Sequence, residues 1–429
     1  MSRPDVVVVG GGVIGLACAW RLAGRGLSVT VVDPDPGSGA SGVAAGMLAP
    51  VTEARLGEEP LLRLNLASWA RWPAFADQVE AASGAAIGYR ADGTLVVAVD
   101  ADDRAALDDL ASRHRAMGLD VTPLRAREAR HVEPGLAPGV RGGFLAAAES
   151  SVDPPALVEA LRRATTAAGV GFVSAPVERF TTSPAGDRVT GVVLPDGAIE
   201  TEVVVLAAGC RSGTIAGLPA TARPPVRPVK GEILTLRQPV DAPLVGHTLR
   251  GIVHGFSVYL VPRADGRLIV GATVQERGWD TRTTAGGAYE LLRDALALVP
   301  GLDDAELAAV RAGLRPGSPD DLPIIGPTAV GGLVVATGHH RNGILLTPIT
   351  AEAVAAAVCG EPPPAEVAAA CDPERFARGN RFRGGEGEAI GSESGTPARA
   401  AVGAGEVSLG PAPAEPIASA PPPPTGPAR

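Results

Sequence analysis

The sequence predicts an α/β fold in which a parallel-sheet domain carries an inserted antiparallel-sheet domain. The first observation is near the N-terminus, where the strand-like run Asp5–Val9 leads directly into Gly10-Gly-Gly12-Val-Ile-Gly15. The second is that the signals typical of antiparallel hairpins come only later in the chain. A strand, a glycine turn and a helix in this order indicate a Rossmann-type unit that binds a dinucleotide.

The unit closes as such a fold requires. Gly10 allows the tight turn, Gly12 lets the backbone approach a pyrophosphate, and Gly15 allows close packing of helix and strand. We expect the helix over Leu16–Leu22 and a second strand over Ser28–Val32. That strand ends in Asp33, whose carboxylate can accept hydrogen bonds from ribose hydroxyls and repels a 2′-phosphate.

The rest of the chain alternates between helix and strand signals. We expect a strand at Thr94–Val99, a helix at Arg104–Met117 and an N-cap at Asp153 before a helix at Ala156–Ala168. Two hairpins are predicted, Val189–Leu194 with Ile199–Leu206 and Val258–Pro262 with Leu268–Gly271. The resulting division is a discontinuous nucleotide domain (1–84, 147–222 and 310–376), a substrate domain (85–146 and 223–309) and a disordered tail rich in Pro, Ala and Gly (384–429).

Composition excludes several classes of function. The net charge of −9 argues against nucleic acid or an anionic membrane as a partner, and no apolar run is long enough to span a bilayer. The four cysteines have no metal-ligand spacing, and the adjacent His339 and His340 point apart on most backbones, so we expect no metal. We expect a cytoplasmic enzyme.

Three backbone-lined segments favour FAD over NAD as the dinucleotide. Ser41–Leu48 is a loop of small residues that an NAD domain does not need. The strand Glu202–Leu206 enters Ala207-Ala-Gly209, and the strand Gly332–Ala336 enters the loop Thr337–Gly343 before a helix from about Thr347 to Val358. The N-terminus of that helix can direct positive charge at a reduced flavin.

At this point the chain resembles the FAD-dependent D-amino-acid oxidase family, and within it the glycine oxidases of thiamin biosynthesis. The resemblance covers about Val6 to Phe376, while Asp33 replaces the usual glutamate and the tail has no counterpart. The matching segments are Val6–Gly15, Ala44–Leu48, Pro228–Glu232, Tyr259–Arg263, Ala312–Gly317 and Gly338–Leu346.

The resemblance implies catalytic roles for Arg315 and Tyr259, and substrate contacts for both of them and for Arg341. A planar guanidinium offers a carboxylate two parallel donors at any working pH. As a strand, 311–315 places Arg311, Gly313 and Arg315 on one face, with room above Gly313. A structural ion pair of Arg315 with Asp320 or Asp321 is the alternative.

We expect noncovalent FAD, because Cys359 lies far down the last predicted helix, although His339 is close enough to be considered for attachment. The expected FAD contacts are Gly10, Gly12, Val13, Ile14, Gly15, Asp33, Pro34, Ala40, Ser41, Ala45, Gly46, Met47, Val177, Gly209, His339, His340, Arg341, Asn342, Gly343, Ile344 and Leu345.

The implied reaction is oxidation of glycine, or of a similar small amine or D-amino acid, to an imine and then glyoxylate. Oxygen is reduced to hydrogen peroxide, and the imine would supply the thiazole of thiamin. Two alternatives stay open: a related D-amino-acid or sarcosine-type oxidase or dehydrogenase, and a non-catalytic flavin-binding protein acting through partners. We expect the amine and oxygen as small-molecule partners, and self-association into a homo-oligomer.

Overall fold

The computed structural model describes residues 3–55 and 57–376, so the predicted tail 384–429 lies outside the described residues. The helices are α1 (Val13–Ala23), α2 (Glu59–Trp69), α3 (Trp72–Ser83), α4 (Ala101–Ala116), α5 (Ala126–Val132), α6 (Pro154–Ala167), α7 (Ala285–Leu298), α8 (Thr347–Cys359) and α9 (Ala365–Ala370). The strands are β1 (Val6–Val9), β2 (Val29–Val32), β3 (Met47–Leu48), β4 (Thr94–Ala98), β5 (Thr122–Arg125), β6 (Gly142–Ala146), β7 (Ser150–Ser151), β8 (Gly171–Val173), β9 (Arg179–Thr182), β10 (Val189–Leu194), β11 (Gly197–Glu200), β12 (Val203–Leu206), β13 (Arg227–Arg237), β14 (Thr248–Val253), β15 (Phe256–Pro262), β16 (Arg267–Gly271), β17 (Glu306–Gly317), β18 (Ile324–Pro327) and β19 (Leu333–Thr337).

A six-stranded sheet in the order β18-β19-β12-β1-β2-β8 forms the first layer. Its pairs are parallel except for β18 with β19. β1 consists of four valines buried on both faces, as expected for a central parallel strand. Helices α1, α6 and α8 pack against one face, and the small sheet β11-β10-β9 packs against the other. The predicted Rossmann-type α/β fold is therefore confirmed.

An eight-stranded sheet in the order β17-β13-β16-β15-β14-β4-β6-β5 forms the second body of the protein. Its pairs are antiparallel except for β4 with β14. Apolar residues of α7 and α5 cover one face. The other face receives the segment Val43–Met47, which follows β2 in the chain and packs on Ile233, Val261 and Ile269. This contact brings the two sheets together.

Three details differ from the sequence-based expectations. The run 199–206 is not one hairpin strand: β11 ends at Glu200, and β12 pairs instead with β1 and β19. Asp153 occupies the N-cap position of α6, but its carboxylate makes no cap hydrogen bond and pairs with Arg267. Residues 310–317 belong to the eight-stranded sheet, because β17 pairs with β13 along its whole length.

No helix in the part of the chain that the structure describes has both the length and the apolar character needed to cross a membrane.

Candidate functional site

The turn between β1 and α1 brings the first predicted residues together. Gly10 has a φ of +110°, and a Cβ there would overlap the carbonyl of Ala207 at the end of β12. A Cβ on Gly15 would overlap the carbonyl of Gly10. Packing of the protein itself thus requires both glycines. Ser41 faces the turn, where its hydroxyl accepts the Val13 N–H at 3.1 Å.

Asp33 follows β2 and closes the far side of this turn. One carboxylate oxygen accepts the Gly11 N–H at 2.6 Å, and the other accepts the Asp35 N–H at 2.8 Å. Each oxygen keeps a lone pair for a further donor. The exposed Pro34 lies beside it, and the partly buried Val177 packs in the cluster that contains Val32. Asp33, Pro34 and Val177 therefore lie near one another at one end of the sheet.

The segment from Ala40 to Met47 lies between the two sheets. Ala40–Val43 is a short 3-10 helix, and Met47 pairs with Ser151. Gly46 has a φ of +77°, and a Cβ there would overlap the carbonyl of Val152. The Ala45 carbonyl accepts a hydrogen bond from Arg263.

Arg263 was not predicted as a site residue. It is buried, and burial lowers the pKa of its guanidinium to about 10. Its Nε and Nη1 groups have no hydrogen-bond partner among the described residues. The guanidinium of Arg263 therefore fixes the backbone at Ala45, and its Nε and Nη1 groups stay available as hydrogen-bond donors.

The loop after β19 carries an unusual set of unpartnered polar atoms. Asn342 is 2% exposed, yet neither its side-chain oxygen nor its nitrogen has a partner among the described residues. Leaving a buried polar group unpaired costs about 1–3 kcal/mol, so this loop is built to meet a polar group that is not part of the chain. The neighbouring Gly343 continues the loop, whereas the side chains of Ile344 and Leu345 lie in the hydrophobic core.

His339 begins the same loop and is buried. Its Nε2 lies 3.0 Å from the hydroxyl of Thr350 on α8. Burial lowers its pKa to about 3, so the ring is neutral at ordinary pH. Gly209, at the end of β12, has a φ of +55°, and the space where its Cβ would lie is open.

The side chain of Arg341 is only 14% exposed. It is ion-paired with Glu58, and its Nε and Nη1 atoms are buried without a hydrogen-bond partner among the described residues. The adjacent His340 has a φ of +46°, and its Nδ1 lies 3.1 Å from a carboxylate oxygen of Asp321.

Arg315 lies on β17 without a carboxylate partner among the described residues. Its Nη1 donates to the backbone carbonyls of Thr273 at 3.2 Å and Lys230 at 3.5 Å. The ion pair that the sequence left open is not formed, because Asp320 pairs with Arg375 and Asp321 lies against His340. The charge of Arg315 is therefore uncompensated.

Two glycines make room for the side chains of Arg315 and Tyr259. A Cβ on Gly231 would overlap the Arg315 guanidinium, and a Cβ on Gly271 would overlap the Tyr259 ring. The two side chains thus extend across bare backbone towards each other, and the positive charge of Arg315 acts on the phenol. Burial raises the pKa of Tyr259, so the hydroxyl stays protonated. The expected room above Gly313 is filled by Val43.

An ion pair between Arg250 and Glu53 lies beside Tyr259. Arg250 lies directly opposite Tyr259 on the neighbouring strand, and its guanidinium binds Glu53 at 2.8 Å. The pair was missed because nothing in the sequence relates residue 53 to residue 250. Gly231 and Gly271 were missed as well, although Gly231 belongs to the Pro228–Glu232 segment. These glycines act by leaving space for a side chain on the facing strand, and the sequence does not show which side chain that is.

One further polar cluster lies apart from this site. Asp100, Asp103 and His254 bring three potential ligand atoms together. Both carboxylates already serve the backbone: Asp100 caps α4 through the Asp103 N–H, and Asp103 accepts the N–H groups of His254 and Gly255. The arrangement is explained by capping and by a turn.

The chain matches the model of the FAD dependent oxidoreductase family over residues 5–357. It is 36% identical over 362 residues to a glycine oxidase from Geobacillus kaustophilus, covering 82% of this chain and 92% of that protein. It is also 36% identical over 352 residues to a bifunctional ThiO/ThiG protein from Synechocystis, covering 82% of this chain but only 51% of that protein. The chain thus spans about half the length of this bifunctional relative.

Solved structures agree with this assignment. The crystal structure of the Geobacillus kaustophilus glycine oxidase superposes with a TM-score of 0.80 at 34% identity, covering 87% of this chain and 99% of that one. An iminodiacetate oxidase from Chelativorans superposes with a TM-score of 0.77 at 27% identity, covering 86% and 98%. The chain therefore belongs to the FAD dependent oxidoreductase family and is an FAD flavoprotein similar to the glycine oxidases.

Proposed function

We propose that this protein oxidises the amine of glycine, or of a similarly small amino acid, and passes the electrons to oxygen with release of hydrogen peroxide. The observation that carries the proposal is the uncompensated guanidinium of Arg315, held by two backbone carbonyls beside a protonated Tyr259. A carboxylate is the group that such a guanidinium and phenol bind best.

The described residues fit FAD. The glycine turn with Ser41 and the N-terminus of α1 suits the pyrophosphate, and Asp33 suits the ribose. The unpartnered side chain of Asn342 and the open space beside Gly209 suit the flavin end. Bound FAD supplies the hydride acceptor and the site of reoxidation by oxygen. We propose that the remaining predicted contacts, from Ala40 to Met47 and from His339 to Leu345, line the same path.

The protein's own part in the reaction is positioning. Arg315 and Tyr259 bind the carboxylate and thereby fix the direction of the Cα–H bond. Arg341, through its backbone and its unused donors, limits how far the amine end can move. Holding a reactant in the reacting geometry is worth several kcal/mol of the barrier. A proton-transfer dyad is not required, provided that the substrate binds as the free amine.

We propose that the FAD is held without a covalent bond. Cys359 is exposed at the C-terminal end of α8, and the ring of His339 is buried against Thr350. We further propose that the six-stranded sheet and its helices carry the cofactor, while the eight-stranded sheet supplies the substrate side. Apart from 310–317, which β17 places in the eight-stranded sheet, we keep the domain boundaries given above.

The name of the glycine oxidase relatives supports glycine as the substrate. A supply of imine to the thiazole of thiamin is a further part of the proposal, and it rests on the family resemblance. The iminodiacetate oxidase supports a related amine as the alternative. The discriminating experiment is anaerobic flavin bleaching with glycine, sarcosine, D-alanine and iminodiacetate, followed by admission of oxygen and assay of peroxide. Bleaching by glycine with stoichiometric peroxide is expected. Bleaching only by another amine, or slow reoxidation in air, would favour a related oxidase or dehydrogenase, and no bleaching by any amine would contradict an enzymatic role.

A further inference from the structure

The outer edge of the eight-stranded sheet is a long strand that is only half covered. β17 is the edge strand, and its inner side pairs with β13 from Glu306 to Gly317. Its C-terminal half is shielded, because the Cys210 thiol donates to the Leu314 carbonyl at 3.3 Å and His339 bridges to Gly317. Residues 306–311 have no such cover among the described residues. Free strand edges of this length are usually blocked or paired.

The uncovered stretch reads Glu306-Leu-Ala-Ala-Val-Arg311. Leu307 is 44% exposed, and Glu306 and Arg311 form no ion pair within the described part of the chain. When a second copy of the stretch runs antiparallel to the first, Arg311 lies opposite Glu306, Val310 lies opposite Leu307, and Ala309 lies opposite Ala308. The stretch is therefore complementary to itself in antiparallel orientation.

The faces of the strand agree with this complementarity. Arg311 pairs with Ile233 and Glu306 with Arg237, and these two β13 residues lie on the same face of the sheet. Val310 pairs with Leu234 and Leu307 with Leu236, on the opposite face. Between Thr235 and Leu236 the register changes, and Ala308 is the extra residue of a β-bulge in β17. Because of this bulge, Glu306 and Arg311 share one face, and Leu307 and Val310 share the other.

A cleft beside the strand suits the end of such a partner strand. It has a volume of about 590 Å³ and is lined by Val310–Ala312, by Ser38, Gly42 and Val43, and by Thr281–Thr283. Arg282 and Arg311 line it, and none of its lining residues is acidic; Arg282 is ion-paired with Asp280, whereas Arg311 has no ion-pair partner among the described residues. The residues that precede the self-complementary stretch are acidic, namely Asp303 and Asp304.

We propose that two copies of this chain pair through β17, antiparallel about a two-fold axis between Ala308 and Ala309. Glu306 of each copy then lies opposite Arg311 of the other, and Leu307 lies opposite Val310. The acidic turn before each strand approaches the arginine-lined cleft of the second copy. Small side chains at the axis let the two backbones approach, and the eight-stranded sheet continues across the dimer.

The test is the solution mass of the full-length, FAD-loaded protein, measured by light scattering after size exclusion. Glu306→Arg and Arg311→Glu each place like charges opposite one another, so each variant alone should fall to half the wild-type mass or less. Mixed in equal amounts, the two variants again face opposite charges at both positions, and the wild-type mass should return. Flavin absorbance and melting temperature verify that each variant is folded.

A second measurement fixes the register. The double variant Leu307→Cys/Val310→Cys should form a covalent dimer on mild oxidation, while either single variant should not. Each single variant retains the exposed Cys359, and so controls for disulfides through that residue. A monomeric wild type, single variants of unchanged mass, or a mixture that stays dissociated would overturn the proposal.

Discussion

The guanidinium of Arg315 lies directly over Gly231, on the strand next to it, where any side chain would occupy the same space. The glycine leaves the guanidinium flat against the sheet, where its Nη1 reaches the carbonyls of Lys230 and Thr273. Neither acceptor carries a net charge, so the arginine is oriented without being neutralised. This relationship leaves the guanidinium available for the carboxylate of the amino acid that we propose as substrate.

Gly231→Ala should therefore impair substrate binding more than stability. The added methyl group displaces the guanidinium, whose far end can move without disturbing the core. We expect the KM for glycine to rise about tenfold or more, equivalent to ~1.4 kcal/mol, with FAD binding retained. Steady-state kinetics measure this, and Gly286→Ala, where a Cβ would meet open space, is the matched control. An unchanged KM in Gly231→Ala would show that the guanidinium does not need this position.

Asp33→Ala should weaken FAD binding without changing which amine is oxidised. The Asp33 carboxylate lies at the glycine turn, after β2 of the six-stranded sheet, whereas Arg315 lies on β17 of the eight-stranded sheet. Losing a charged hydrogen-bond partner costs about 1.5–3 kcal/mol, which predicts a loss of roughly ten- to a hundredfold in affinity. Titration of the apoprotein with FAD gives the dissociation constant, and Asp33→Asn separates the charge from the shape. Equal affinities for all three proteins would exclude the ribose role.

Acid or heat should release intact FAD into the supernatant. The prediction follows from the buried His339 ring, engaged with Thr350, and from the position of Cys359 at the end of α8. Absorbance of the supernatant after precipitation measures the release. Yellow colour that remained with the precipitated protein would establish a covalent bond instead.

His339 should make the folded protein sensitive to acid. Its folded pKa, about 3, lies below the ordinary value of about 6.5, so the unfolded chain binds a proton that the folded chain does not. Its contribution to stability is therefore full above pH 6.5 and is lost as the pH falls towards 3, with a slope of ~1.4 kcal/mol per pH unit. Unfolding free energies between pH 6.5 and pH 4.5 in excess FAD should show a shallower slope in His339→Gln. The exposed His131→Gln is the comparison, and equal slopes in wild type and His339→Gln would refute the assignment.

Local patterns predicted the parts of the fold that depend on neighbouring residues. The turn at Gly10–Gly15 and the hairpin of β15 and β16 follow from periodicity and turn chemistry within a few residues. The run 199–206 was misjudged because β12 is drawn into the six-stranded sheet by strands far away in sequence. Local propensity does not carry that information.

The candidate site divides in the same way. Arg315 and Tyr259 were selected through a family resemblance, whereas the reason for their geometry lies in Gly231 and Gly271 on facing strands. Arg263 and the Glu53–Arg250 pair depend on contacts across about 200 residues of sequence. Such residues become visible only when the sheets are assembled.

The most direct measurement of the central claim is the anaerobic reduction of the bound flavin by glycine in wild type, Arg315→Lys and Arg315→Ala. Losing one member of a buried charged pair costs about 3–5 kcal/mol, so the alanine variant should keep its FAD but bind glycine two to three and a half orders of magnitude more weakly. Lysine should restore only part, because an ammonium lacks the paired donors of a guanidinium. If the alanine variant is reduced by glycine at wild-type concentrations, Arg315 is not the carboxylate anchor and the account fails.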